Sequence, residues 1–311
     1  MTIKDLVEGF IRDCKCDRLA ESTINSHSKM LANIIIPSIG NIDLTELLPI
    51  HRNDIIEQAS QFGRSAPRHA IITFRRLLHY VKKCRIPVGV EAEEIEIPSY
   101  RSLKDVCAWS REEIKEIRLL LAKEYDCQFS KHADEKQKKA HLHATKRTEA
   151  LFELLIHSGL RLEEALSADK ENMNWEKHEL RVEDCKEEGT WKTVFFHGAK
   201  NAIEKYLAIR TDNDPALFVS SKECTRLKKN SAQTTLKRIK KRADSNSKLV
   251  KGLNHKTCRS TFITIPLQEG IDPKTVQELA HHKSLQTTLG YYFKIIHEKL
   301  NPTHAQIFSS L

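Results

Sequence analysis

The chain reads as mostly α-helical and in two parts. A helical N-terminal domain spans 1–90, and a larger α-rich domain with one small antiparallel β-hairpin spans 110–311, with a linker over 91–109. Three observations lead there. Apolar residues recur at three- and four-residue steps through most of the chain, the period of an amphipathic helix. One stretch, HELRVEDCKEEGTWKTVFFH, alternates instead and turns at Lys-Glu-Glu-Gly, a hairpin pattern. The segment EAEEIEIPSYRSLKDVCA holds no sustained helical period and contains Pro98, so it separates the two parts. A length of 311 residues also suits two domains better than one.

In the N-terminal part, Ile3, Leu6, Val7, Phe10 and Ile11 mark a first apolar stripe, and Ile71, Phe74, Leu78 and Val81 mark another. Ser65 and Pro67 open the latter helix as cap and first turn. Its other side carries Arg68, Arg75, Arg76, Lys82 and Lys83, which read either as a phosphate-facing surface or as a solvated face.

The second part begins with Ser110 and Glu113, spaced as a capping box ahead of an apolar run. The polar stretch CQFSKHADEKQKKAHLHATK reads as a solvated insertion, because His132, His141 and His143 lack metal-ligand spacing. The helix EALFELLIHSGL ends at Gly159, and RLEEALSA starts the next. From Arg226 to Arg242 stand eight basic residues and no acid. On a helix that composition makes a phosphate-binding face, since a merely solvated face intersperses Glu or Asp.

A net charge of +9 arises from 51 basic against 42 acidic residues, which fits a folded protein with an anionic partner. The eight cysteines are scattered, and CKC at 14–16 lacks the spacer of zinc or redox pairs, so reduced thiols are expected. Charges interrupt the apolar positions of the N-terminus and no run of about 18 apolar residues exists, so a soluble cytoplasmic protein is expected, with no membrane contact.

Four segments join a cation or a tyrosine to an element boundary: SGLRLEE, the hairpin with Lys186, NHKTCRSTF, and ELAHHKSLQTTLGYYFKII. Together they resemble the tyrosine recombinase (phage integrase) family over about 110–292, and more loosely over the N-terminal part. Aligning HHKSLQTT on the family's Gly-His pattern puts His281 on the glycine and His282 on the functional histidine. Nine further residues lead to Tyr291, leaving Tyr292 as its neighbour. For an isolated YY pair, aromatic packing of a C-terminal helix would be the expected role; four co-linear motifs reverse that.

The resemblance implies the chemistry. Displacing a DNA oxygen from a phosphodiester takes a nucleophile, cations on the non-bridging oxygens and a proton donor for the leaving hydroxyl. Tyr291 is implied as nucleophile, forming a 3′-phosphotyrosyl link, and Arg161 and Arg259 as the bidentate clamp. A hairpin lysine is the implied general acid. Lys186 at the turn is preferred to Lys192, which fits the family's more variable basic position. Glu164 matches the family's acidic residue, with an orienting role. The family's second box usually reads His-x-x-Arg, but here Lys256 stands three residues before Arg259, with His255 one position further back. Lys256 is taken as the in-register residue, and its part in proton transfer stays open.

On this reading the partner is double-stranded DNA at specific recombination sites, engaged by a homotetramer on two sites and by Arg68, Arg75, Arg76, Lys237, Arg238, Lys240 and Lys241. No metal, ATP or other cofactor is implied. The alternatives are a type IB topoisomerase-like relaxing enzyme, and a DNA-binding protein that keeps the fold without the reaction.

Overall fold

The computed structural model describes residues 1–99, 108–126, 134–184, 189–242 and 252–291, and divides into two compact units, Met1–Lys104 and Asp105–Leu311. It is mostly helical with one small sheet.

The first unit contains α1 (Ile3–Cys16), α2 (Glu21–Met30), α3 (Ile36–Ile39), α4 (His51–Ser60) and α5 (Ala66–Lys83). Thr2 and Asp5 cap α1 reciprocally, with Asp5 Oδ2 accepting from Thr2 N at 2.8 Å. The helix then buries Ile3, Leu6, Phe10 and Cys14, one turn apart on a single face. Helix α5 carries Pro67 in its first turn and buries Ile71, Phe74, Leu77, Leu78 and Val81 against that face. Ser65 stands at its N-cap position without a side-chain capping bond; instead its carbonyl accepts from His69 N.

Two expectations shift here. The segment read as linker from residue 91 packs partly onto this unit, since Ala92 and Ile95 lie in its core around a 3₁₀ turn, Ala92–Glu94. Three residues of 3₁₀ helix are too few to leave a sequence period, which is why the segment reads as extended. Trp109 belongs to the core of the second unit, and residues 100–107 lie outside the described residues.

The second unit runs α6 (Arg111–Asp126), α7 (Glu135–Ser158), α8 (Leu162–Ser167), β1 (Met173–Asn174), β2 (Glu179–Glu183), β3 (Trp191–Phe195), α9 (Lys200–Leu207), α10 (Lys229–Arg242), α11 (His255–Gln268) and α12 (Pro273–Leu279). The Ser110–Glu113 box is formed, with Glu113 Oε2 accepting from Ser110 N at 2.8 Å and Ser110 Oγ from Glu113 N at 3.2 Å. Helix α7 lies at the centre, packed against α6, α9 and α11. Its first half is the stretch expected to be a solvated insertion. Asp134 caps it, accepting from Gln137 N at 2.6 Å, and His143 is packed edge-on against Tyr206 with ring centroids 5.3 Å apart. Lys, Gln, Glu and Ala are good helix formers, so a polar composition there conceals a helix. His132 lies outside the described residues.

The sheet is antiparallel, in the order β1-β2-β3, with Arg181 opposite Thr193 and Glu183 opposite Trp191. Leu180, Val182 and Val194 point into the core. The turn at 185–188, and with it Lys186, lies outside the described residues. Among the described residues, no helix is long and apolar enough to cross a membrane, and no group of three or more His, Cys, Asp or Glu side chains is placed to hold a metal ion.

Candidate active site

Three helix boundaries bring the sequence-predicted residues of the second unit together. The first follows α7. Gly159 ends that helix in the left-handed conformation, φ +64°, and a β-carbon there would stand 2.3 Å from Phe262 Cδ1, so only glycine fits. Arg161 follows as the N-cap of α8. Its backbone N–H and its Nη1 both donate to Glu164, at 2.8 and 2.6 Å.

Glu164 is fully buried, and it also meets a cation from the sheet. Lys192 on β3 points inward, 5% exposed, with Nζ 2.5 Å from Glu164 Oε1 and 3.8 Å from Asp184 Oδ2. Burial raises the Glu164 pKa, but the bonds from Lys192 and Arg161 outweigh it and hold the carboxyl down at about 2. One carboxylate thus fixes two cations.

The second is the start of α11. Asn254 caps it, Oδ1 accepting from Lys256 N at 2.9 Å and Thr257 N at 3.1 Å. Arg259, one turn on, donates through Nη1 to the Gly159 carbonyl and through Nη2 to the Ala280 carbonyl at 2.5 Å. Burial, with the Arg161 charge adding to it, pushes Arg259 down to about 10, which leaves it charged at neutral pH. Lys256 is exposed on the first turn. Its neighbour His255 is pushed by burial down to about 4 and is therefore neutral.

The third follows α12. His282 N bonds the Gln277 carbonyl, and its Nδ1 meets Thr288 Oγ1 at 2.9 Å. Residues 285–291 are helical and deliver Tyr291, whose ring stacks near that of His282 with centroids 6.4 Å apart. Tyr291 also packs on Ile263, Leu267, Val276 and Ala280, close enough for its oxygen to act on the Arg259 charge. Tyr292 lies outside the described residues.

Arg161, Glu164, Arg259, His282 and Tyr291 are thus drawn into one region, while Lys256 is exposed one turn before Arg259. Lys192 joins them through Glu164, a buried partnership that the hairpin alternation alone did not disclose. Its position opposite Val182 on the core-facing side was the available signal.

The basic residues elsewhere divide. On α10, Ala232, Leu236 and Ile239 face the core while Lys237, Arg238 and Lys241 are exposed and Lys240 is half-buried. Like charges four residues apart repel along that face. On α5, Arg68 donates to the Pro98 carbonyl at 3.0 Å and Arg76 pairs with Asp17 at 2.9 Å, so both are engaged within the unit; Arg75 is half-buried.

The sequence pattern of the phage integrase family matches residues 130–298, and that of the phage integrase N-terminal SAM-like domain matches residues 2–58. Among curated proteins the chain is similar to tyrosine recombinase XerA of Pyrococcus horikoshii, 33% identical over 150 residues that make up 47% of this chain and 50% of the relative. It is also similar to tyrosine recombinase XerC of Mannheimia succiniciproducens, 32% identical over 47% of this chain and 48% of the relative. The aligned part spans about half the length of these curated relatives. Among solved structures, the Tn1549 transposon integrase in complex with transposon right end DNA matches with a TM-score of 0.71 at 12% identity, covering 97% of this chain and 99% of that one. The XerH site-specific recombinase bound to palindromic difH substrate matches with 0.71 at 14% identity, covering 97% and 83%. At such identities these likenesses speak for the fold.

Proposed function

We propose that this chain, which belongs to the phage integrase family, is a tyrosine-type site-specific recombinase that cuts and rejoins double-stranded DNA through a 3′-phosphotyrosyl intermediate on Tyr291. The observation that carries the reading is Arg259. Its charge lies within reach of both Arg161 and the Tyr291 hydroxyl, and two backbone carbonyls fix its guanidinium. A phosphodiester seated there has its non-bridging oxygens facing two immobile cations while the phenol approaches phosphorus. The departing 5′-hydroxyl takes its proton from a hairpin lysine, Lys186. Lys192 is the weaker candidate for that transfer, since its ammonium is buried against Glu164.

His282, oriented by Thr288, supports the phosphate beside Tyr291, and Lys256 adds a further cation from the first turn of α11. The covalent link conserves the bond energy, so rejoining needs no ATP, and the fixed cations supply the electrostatics for which other phosphoryl-transfer sites use a metal. Strand exchange of this kind takes four copies on two sites, which we assign to this chain as a homotetramer acting in the cytoplasm on nucleoid DNA. Supporting the DNA partner, related structures hold DNA, and the exposed face of α10 carries Lys237, Arg238 and Lys241 with no acid on the helix.

The test is a nicked suicide duplex. Wild-type protein should accumulate a covalent adduct with EDTA present, and Tyr291→Phe should bind without forming one while Tyr292→Phe still does. An adduct on Tyr291→Phe, or a requirement for added Mg²⁺, sinks the reading.

A further inference from the structure

His281 occupies the position where the motif places glycine, yet it takes the left-handed backbone that L side chains rarely adopt, φ +50°. Its imidazole Nε2 lies 3.2 Å from the Thr193 carbonyl. The sheet register explains why that carbonyl needs a partner. Asp184 N donates to Thr190 O and Phe196 N to His178 O, so the bonded pairs alternate and the Arg181–Thr193 pair turns its backbone groups away from the facing strand. Strand β3 is an edge of the described sheet, so the Thr193 carbonyl points out of it, and His281 caps it.

The residues on either side give this bond its meaning. Ala280 accepts from Arg259 Nη2, and His282 stacks near Tyr291. On the strand, the residue before Thr193 is Lys192, which is seated on Glu164 and through it on Arg161. One hydrogen bond therefore joins the segment carrying Arg259's acceptor and His282 to the strand that braces Arg161.

We propose that His281 is a positioning residue, a latch between the Ala280–His282 segment and strand β3 that keeps the two arginines and His282 in mutual register for strand cleavage. The role in cleavage rests on the reading of Tyr291 as nucleophile. The latch works as a neutral N–H donor. Burial, together with the Lys192 and Arg259 charges, disfavours the imidazolium against the opposing pull of the Thr193 bond and of Glu164.

Two substitutions separate the latch from the backbone. His281→Gly removes the imidazole and relieves the left-handed conformation. His281→Gln restores an amide N–H near the position of Nε2. The Gly variant is expected to melt no lower than wild type and to bind duplex within about twofold, while its single-turnover adduct rate on the nicked substrate falls at least about tenfold; Gln should recover to within about threefold of wild type. Hydrogen exchange in strand 191–195 should rise in the Gly variant and return in the Gln variant. Wild-type cleavage rates in the Gly variant, or a Gln variant as slow as Gly, overturn the proposal. Wild-type protein that forms no adduct overturns the nucleophile assignment instead. The exchange readout then judges the latch by itself: raised exchange in the Gly variant supports it and unchanged exchange overturns it.

Discussion

Lys192 Nζ stands 2.5 Å from Glu164 Oε1, with both side chains shut away from solvent, at 5% and 0% exposure. Removing one member of such a pair strands the other. Lys192→Met should cost about 3 kcal/mol of stability, and the double variant with Glu164→Gln should lose less than the two single losses added together. Urea denaturation of the four proteins checks this, and strict additivity would mean that the pair is not coupled.

The same carboxylate sets an acid limit. A free glutamate titrates near about 4.3, whereas Glu164 is held at about 2. Its contribution is therefore complete above the unfolded value and disappears as the pH falls from there toward 2. The difference is worth about 3 kcal/mol. Unfolding midpoints of wild type and Glu164→Gln should converge as the pH drops through this window. Parallel curves would show that Glu164 is not depressed.

Arg259 donates to two carbonyls that lie on separate segments, after α7 and after α12. A lysine keeps the charge and loses the fork. Arg259→Lys should hold DNA at near wild-type affinity and lose cleavage by about a hundredfold or more. Retained single-turnover cleavage would remove the guanidinium from the mechanism.

We propose Lys237, Arg238, Lys240 and Lys241 as phosphate-binding residues. Their replacement by Ala should flatten the log–log dependence of DNA affinity on salt by roughly 0.9 for each phosphate no longer neutralised. An unchanged slope would leave the α10 face as solvated surface. No such change is expected from Arg76→Ala, because Arg76 already pairs with Asp17.

Lys256 and His255 are adjacent but differently placed, one exposed and one half-buried and neutral. Adduct yield should fall steeply in Lys256→Ala, survive largely in Lys256→His and change little in His255→Ala. Equal damage from Lys256→Ala and His255→Ala would move the catalytic position to His255.

How far the sequence discloses this molecule depends on the kind of signal. The stripes of α1 and α5, the Ser110–Glu113 cap, the Gly159 terminus and the hairpin strands are local patterns, and each is present as read. The spacing that leads from Arg161 through Arg259 and His282 to Tyr291 is also local to its motifs, and the fold gathers those motifs. What stayed illegible is pairing across distance. Nothing near Lys192 announces Glu164, and nothing near His281 announces the Thr193 carbonyl, because both depend on the sheet's register and its exposed edge. The start of helix α7 is hidden for the opposite reason, since a polar composition masks a stripe that touches the core only at intervals such as His143 and Arg147.

Gly159 sets a limit on how this sequence can drift. Any other residue there must hold a left-handed backbone and displace the Phe262 ring, and it would swing the carbonyl on which Arg259 Nη1 rests. Substitutions at this position should therefore be missing from any functional library, even though the residue has no side chain to contribute. The aim of an arginine a hundred positions away is set by the lack of one methyl group.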